Sequence, residues 1–356
     1  MAATDATLSA NNAGYTRIAV VGTGGYGGSI LKALLHSKAF TSIRAVTREP
    51  TDDIAGKEMR LRELQSLGAQ VITYDSTTAS AFASAFAETD IVISAVGFSA
   101  ISSQFAMVDG AIQAGVKWFL PSEFGVAHGS STWLPFDGPL AAKRDVLAYL
   151  KERQSQIAYT AIYTGLALDY LDPRVLGLKL TRRSATLVGR GGTPMSCTNQ
   201  QDTIRVIVEV AKRPREMQNR AIRFAGSTTR MRELIKTVTA NECGNNVKLV
   251  SIDEAKEKFC ELAKKQDMRA FEIYCRLLVE EGLTQIDRKG EKLDNHLFSF
   301  KPEPVQETLE RLLLQAETVG LGIHGPTVHR SETGGSVTEG IGRAADTVCG
   351  TAATAE

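Results

Sequence analysis

Residues 17–28 read Arg-Ile-Ala-Val-Val-Gly-Thr-Gly-Gly-Tyr-Gly-Gly, a short β-branched run that ends abruptly in glycines. Ile30, Leu31, Leu34 and Leu35 follow at helical spacing. Strand, glycine turn and helix in that order form a cradle for a pyrophosphate. Gly22 permits the tight turn, Gly25 lets backbone N–H groups approach the phosphates, and Gly28 lets the helix pack on the strand. The helix N-terminus adds partial positive charge at the anion. A glycine cluster by itself also suits a merely flexible turn. Its position between an apolar strand and an apolar helix is what turns the reading toward a nucleotide.

Outward from this turn the first half of the chain alternates. Strands are expected at Ile18–Val21, Ile43–Thr47, Val71–Tyr74, Ile91–Ala95, Val116–Leu120 and Ala158–Tyr163. Helices are expected over about Gly27–Lys38, Glu58–Leu67, Ala79–Ala87 and Ser103–Ala114, with another beginning near Pro139. Strands separated by helices predict an α/β fold, a Rossmann-like, doubly wound parallel sheet. Its ligand then lies beyond the carboxyl ends of the strands, where strand order reverses. After residue 166 the alternation loosens. Lys179–Val188 reads as strand, and Gln201–Lys212, Met231–Thr239, Ile252–Leu262 and Pro304–Gln315 read as helices. The expected organisation is a disordered N-terminus (1–15), a dinucleotide-binding domain (16–165), a smaller C-terminal substrate-binding lobe (166–324) and a disordered tail (325–356). Later strands of the lobe are free to rejoin the first sheet.

Composition narrows the function. The chain has 356 residues and is 43% hydrophobic, enough for a real core. A net charge of +1 argues against a nucleic-acid binder that relies on phosphate contacts. No apolar run approaches the length of a bilayer span, so no membrane partner is expected. Residues 1–16 carry neither an apolar signal core nor an Arg-rich pattern, which predicts a cytoplasmic protein. Cys197, Cys243, Cys260, Cys275 and Cys349 are scattered and form no disulfide framework. His36, His128, His296, His324 and His329 have no metal-ligand spacing, so no metal is expected.

The end of the second strand selects the dinucleotide. NAD enzymes place Asp or Glu there for the ribose 2′-hydroxyl. Here the sequence is Val46-Thr47-Arg48, and an arginine fork suits a 2′-phosphate. Lys57 and Arg60 just downstream add to the positive field, whereas Glu49 opposes it. An ordinary solvated cluster is the competing reading. NADPH is preferred over NADH as the expected cofactor.

A lysine occupies an unexpected place. Leu140, Val146, Leu147 and Leu150 form the apolar stripe of the helix that begins at Pro139, and Lys143 projects into its middle. A buried ammonium is expensive unless its stem snorkels or it has a task. Burial lowers a lysine pKa and so suits a proton donor or acceptor near neutral pH. Both readings stay open on the pattern alone. The chain contains no Tyr-x-x-x-Lys pair, so chemistry on this fold needs another acid/base.

Lys117-Trp-Phe-Leu-Pro-Ser-Glu-Phe-Gly125 resembles the Phe-x-Pro-Ser-Glu-Phe-Gly signature of the isoflavone reductase-like and NmrA-like proteins, which are atypical short-chain dehydrogenases. The resemblance extends from about residue 16 to 320 and lies nearest a fungal branch. Gly22, Gly25 and Gly28 match the family's glycine turn. Arg48 and Lys57 match its implied 2′-phosphate ligands, and Ile93–Gly97 its fourth strand and cofactor loop. Gln104 and Ala114–Lys117 match the helix and strand that follow. The candidate cofactor residues are therefore Gly22, Thr23, Gly25, Tyr26, Gly27, Gly28, Arg48, Lys57, Val96, Gly97, Phe98, Gln104, Pro121, Ser122, Glu123 and Phe124. The last three are expected near the nicotinamide, although Glu123 equally suits a loop brace and Phe124 the core. The family's catalytic lysine falls on Lys143, the residue the helical pattern singles out independently. His128 is a lesser candidate, and Asp169 and Tyr170 either border the pocket or begin the second lobe.

The resemblance implies hydride transfer from NADPH to a conjugated or benzylic carbon, or a carbonyl, of an aromatic or polyketide-like small molecule. Secondary metabolism is the implied setting, and a homodimer is left open. Two other readings compete: a non-catalytic NADP(H)-sensing regulator, and a redox-neutral isomerase on the same fold. Regulators of that kind typically lack the lysine that this chain has.

Overall fold

The computed structural model describes residues 14–49, 56–127, 138–169, 173–240, 246–265, 267, 269–288 and 290–319. His128, Tyr170, residues 1–13 and the tail 325–356 lie outside the described residues. The chain forms two compact units, and neither is continuous in sequence. One comprises Met1–Glu123, Ala142–Ile162 and Thr203–Ile222. The other comprises Phe124–Ala141, Tyr163–Asp202 and Arg223–Glu356.

The first unit is built on a seven-stranded sheet. Strands β1 (Arg17–Val21), β2 (Ser42–Arg48) and β3 (Gln70–Tyr74) run outward on one side. Strands β4 (Ile91–Ser94), β5 (Trp118–Leu120) and β6 (Ala158–Tyr163) run outward on the other. The spatial order is β9-β6-β5-β4-β1-β2-β3, where β9 is Arg220–Arg223. The pairs β1–β2, β2–β3, β1–β4, β4–β5 and β5–β6 are all parallel. Order therefore reverses between β1 and β4, the switch point at which this architecture leaves a crevice. A later strand does return to the sheet, as the sequence allowed.

The strands follow the apolar runs because central parallel strands are covered on both faces. All of Ile18–Val21 and all of β4 are buried. The covering helices are α1 (Gly25–Ser37), α2 (Lys57–Ser66), α3 (Ala79–Ala85), α4 (Gln104–Gln113) and α5 (Gly138–Glu152). Phe82, Phe86, Met107, Val146 and Leu150 pack onto Val21, Val92 and Phe119 in one core. Each element lies within two or three residues of its expected limits, because the apolar periods that define them are long.

The second unit departs further from expectation. Lys179–Val188 is not one strand but a hairpin, β7 (Leu178–Lys179) paired antiparallel with β8 (Ser184–Val188). A 3₁₀ turn at Leu180–Arg182 separates them, and Arg183 takes the left-handed conformation at φ +43°. Helices Met231–Val238, Ile252–Lys264 and Val305–Val319 match their expected positions, as does Gln200–Ala211, most of which lies in the first unit. The helix Arg269–Glu280 was not foreseen: its buried face of Ala270, Tyr274, Leu277 and Leu278 is interleaved with Arg, Glu and Cys. It packs on Phe259, Leu262 and Ala263 of the preceding helix. No described helix is long and apolar enough to cross a membrane.

Candidate functional site

The glycine turn sits at the switch point. Gly22 has φ +100°, and a Cβ on it would lie 2.6 Å from the carbonyl oxygen of Ala95, at the end of β4. Its N–H donates to Val46 O at 2.9 Å, tying the turn to β2. A Cβ on Gly27 would fall 1.9 Å from Gly22 O, whereas one on Gly28 would stand 3.2 Å from Thr23 O. The residue whose smallness lets the helix close on the turn is thus chiefly Gly27, not Gly28 as the spacing suggested. Thr23 is buried, its hydroxyl 3.4 Å from that of Thr47. Tyr26 is half-buried on the first turn of α1, and Gly25 is exposed. Helix α1 carries no side-chain cap and no acidic residue in its first turn. An uncapped helix N-terminus of this kind suits an anion.

A positive cluster lies at the end of β2. Arg48 is exposed and stands in register with Tyr74 of β3. Lys57 opens α2 and donates from Nζ to Arg48 O at 2.7 Å. Partial burial holds the Lys57 ammonium below its ordinary pKa, helped by repulsion from Arg48 and Arg60. Nε of Arg60 is shielded from solvent with no hydrogen-bond partner among the described residues.

A second cluster surrounds the Pro-Ser-Glu-Phe-Gly loop. Pro121, Ser122 and Glu123 are buried. Ser122 Oγ donates to Val96 O at 2.8 Å, and Ser122 N–H donates to Gln104 Oε1 at 2.8 Å. Gln104 also donates from Nε2 to Ile101 O at 3.3 Å. Its carboxamide thus braces the loops after β4 and β5. Gly97 precedes the 3₁₀ turn Phe98–Ser103 and is exposed, with Val96 half-buried. Phe124 takes φ +34°, a strained left-handed conformation for a residue with a side chain.

Lys143 occupies the buried face of α5, where Val146 and Leu150 are 0% exposed and Lys143 itself 8%. Leu140 and Leu147 of the expected stripe are half-buried. Lys143 Nζ donates to the backbone carbonyl of Glu123 at 2.8 Å and lies 3.9 Å from its Oε2. Burial pushes the lysine below its ordinary pKa, and the Glu123 carboxylate pulls in the opposite direction. The sequence pattern found the lysine. It gave no sign of the carbonyl that holds it.

Asp169 belongs to the second unit and makes its contacts there. Its Oδ1 accepts from Gln200 N–H at 2.8 Å at the start of a helix, and Arg311 lies 3.9 Å from its other oxygen. Among the described residues no group of His, Cys, Asp and Glu could hold a metal ion.

The sequence model of the NmrA-like family matches residues 15–309. The chain belongs to the NmrA-like family. Curated relatives of this NmrA-like chain include oxidoreductase aprR of Aspergillus flavus, 32% identical over 162 residues, which span 44% of this chain and 50% of that protein. Isoflavone reductase homolog P3 of Arabidopsis thaliana is 27% identical over 249 residues, 67% of this chain and 78% of that one. Among solved structures, AtPrR2 with NADP+ and (+)pinoresinol has a TM-score of 0.68 at 21% identity and covers 83% of this chain and 98% of its own. The leucoanthocyanidin reductase–NADPH complex from Vitis vinifera scores 0.66 at 19% identity, covering 84% and 99%. These likenesses confirm the Rossmann-like fold of the NmrA-like chain.

Proposed function

We propose that this NmrA-like protein is an NADPH-dependent reductase of the isoflavone reductase-like type, acting on an aromatic or polyketide-like small molecule. The observation that carries the reading is the buried Lys143, held by the Glu123 carbonyl at 2.8 Å and depressed in pKa. A regulator that only senses the dinucleotide has no need of such an amine, and its desolvation is costly.

The residues present fit the cofactor. The Gly22–Gly27 contact leaves room only for backbone, and the uncapped N-terminus of α1 suits the pyrophosphate. Thr23, Gly25, Tyr26 and Gly28 frame that turn. Arg48 and Lys57 would meet the 2′-phosphate, and Val96, Gly97 and Phe98 would flank the dinucleotide along the loop after β4. Pro121, Ser122, Glu123 and Phe124 would face the nicotinamide end, with Gln104 holding the loop in place. When bound, NADPH supplies the hydride to a conjugated or benzylic carbon or a carbonyl.

Lys143 manages the proton. As an ammonium it donates to the oxyanion that develops on the substrate, and the Glu123 carbonyl fixes its direction. Depression of its pKa makes it a better acid at neutral pH. The relatives named oxidoreductase and reductase support redox use of the site. The test is stoichiometry: purified protein with NADPH and a panel of phenolic and polyketide substrates should form one NADP+ per reduced product. Product formed without NADP+ would replace this reading with a redox-neutral one. Tight NADPH binding with no turnover on any substrate would favour the regulator.

A further inference from the structure

We infer that Arg60, more than Lys57, completes the 2′-phosphate subsite with Arg48 over the N-terminus of α2. The inference rests on the NADPH reading and adds a residue that the family pattern does not supply.

Four observations converge on Arg60. First, no ion pair among the described residues includes Arg48, Lys57 or Arg60. The carboxylates of the same helix are committed elsewhere, Glu58 to Arg62 at 2.9 Å and Glu63 to Lys32 at 2.6 Å. Three cations crowded together with no ion-pair partner among the described residues repel one another, and a dianion between them relieves that repulsion. Second, Lys57 already spends one of its N–H donors on Arg48 O at 2.7 Å, so part of its work is to fasten α2 to β2. Third, the Arg60 guanidinium curls back along the helix: its Nη1 lies 3.5 Å from where a Cβ on Gly56 would sit. Gly56 is the left-handed residue that precedes Lys57, and α2 has no side-chain cap there. The guanidinium therefore lies beside the first turn of the helix, where the dipole is positive. Fourth, Arg60 Nε is shielded from water yet unpartnered among the described residues. A donor left unmade is costly, so the guanidinium gains by turning its fork toward an anion that binds beside it. Lys57 and Arg60, three apart, share one face of α2.

An arginine fork meets phosphate through two parallel N–H donors, while an ammonium acts as a point charge. Discrimination between 2′-phosphate and 2′-hydroxyl should therefore depend more on Arg60 than on Lys57. The experiment is calorimetric titration of the full chain with NADP+ and with NAD+. Arg60→Ala should weaken NADP+ by about tenfold or more, the scale of a charge-assisted hydrogen bond, and leave NAD+ affinity nearly unchanged. Arg60→Lys should recover part of the loss, and Lys57→Ala should cost less than Arg60→Ala. An unchanged NADP+/NAD+ ratio in Arg60→Ala, with Arg48→Ala abolishing the preference, would overturn the role of Arg60 alone. An equal or larger loss in Lys57→Ala would also overturn it. If neither Arg48→Ala nor Arg60→Ala altered the ratio, the NADPH reading itself would fall.

Discussion

Two lysines of this protein are depressed in pKa by burial, yet the charges around them differ in sign. Lys57 stands among cations: Arg48 and Arg60 push it further down, and its ammonium rests on a main-chain carbonyl at the end of β2. Lys143 is buried beside an opposing charge, the Glu123 carboxylate, which pushes it back up. A site that gathers positive charge invites an anion and holds it. A site that sets a buried amine beside a carboxylate suits the exchange of a proton. In the proposed function, residue type does not separate binding from chemistry. The sign of the neighbours does.

The sharpest way to break this contrast is Lys143→Met. Turnover should fall by about 10²–10⁴-fold, the usual worth of a positioned acid/base, while NADP+ affinity stays within about twofold. Steady-state kinetics beside calorimetry separates the two effects. Retained turnover would assign Lys143 to structure and end the contrast.

The next effect concerns the ground on which the anion sits. Gly27→Ala puts a methyl 1.9 Å from Gly22 O, so turn and helix must move apart. Overpacking of this kind costs about 1–3 kcal/mol, read as a lower denaturant midpoint together with weaker NADP+ binding. Gly24→Ala is the internal control, since nothing lies within 4 Å of its Cβ position and its φ is −70°. A Gly27→Ala protein as stable and as tight-binding as Gly24→Ala would contradict the geometry.

The smallest effect is the most diagnostic. Glu123→Gln keeps the main-chain carbonyl that Lys143 uses and removes only the carboxylate charge. That charge raises the lysine pKa, so its loss lowers the pKa further. If the ammonium is the proton donor, activity falls as pH rises through that pKa. The alkaline limb of the kcat profile should therefore move to lower pH in Glu123→Gln. An unmoved limb would mean that Glu123 acts on Lys143 through its main chain alone.

The sequence was legible where physics is local. Ile18–Val21 followed by glycines has few ways to fold, and the structure places strand, turn and helix there. Lys143 could be found because a helix of period 3.6 puts it with Val146 and Leu150 whatever packs above. The hairpin at Lys179–Val188 was missed because Leu180 continues the apolar run, while the reversal depends on a left-handed Arg183 that no local pattern demanded. Arg269–Glu280 was missed because Arg, Glu and Cys dilute its apolar period.

The chain alone thus determined the order of strands and helices, the glycine turn, the cations at the end of β2 and the lysine on the wrong face, because each is set by neighbours within a few residues. Tertiary structure decided which neighbours count. It put Gly27 rather than Gly28 against the turn, set the carbonyl of Glu123 on a lysine twenty positions later, and left Arg60 with a shielded donor beside two other cations. Those outcomes depend on how separate segments close on one another, and contact at 2–4 Å between distant residues leaves no periodic trace in sequence.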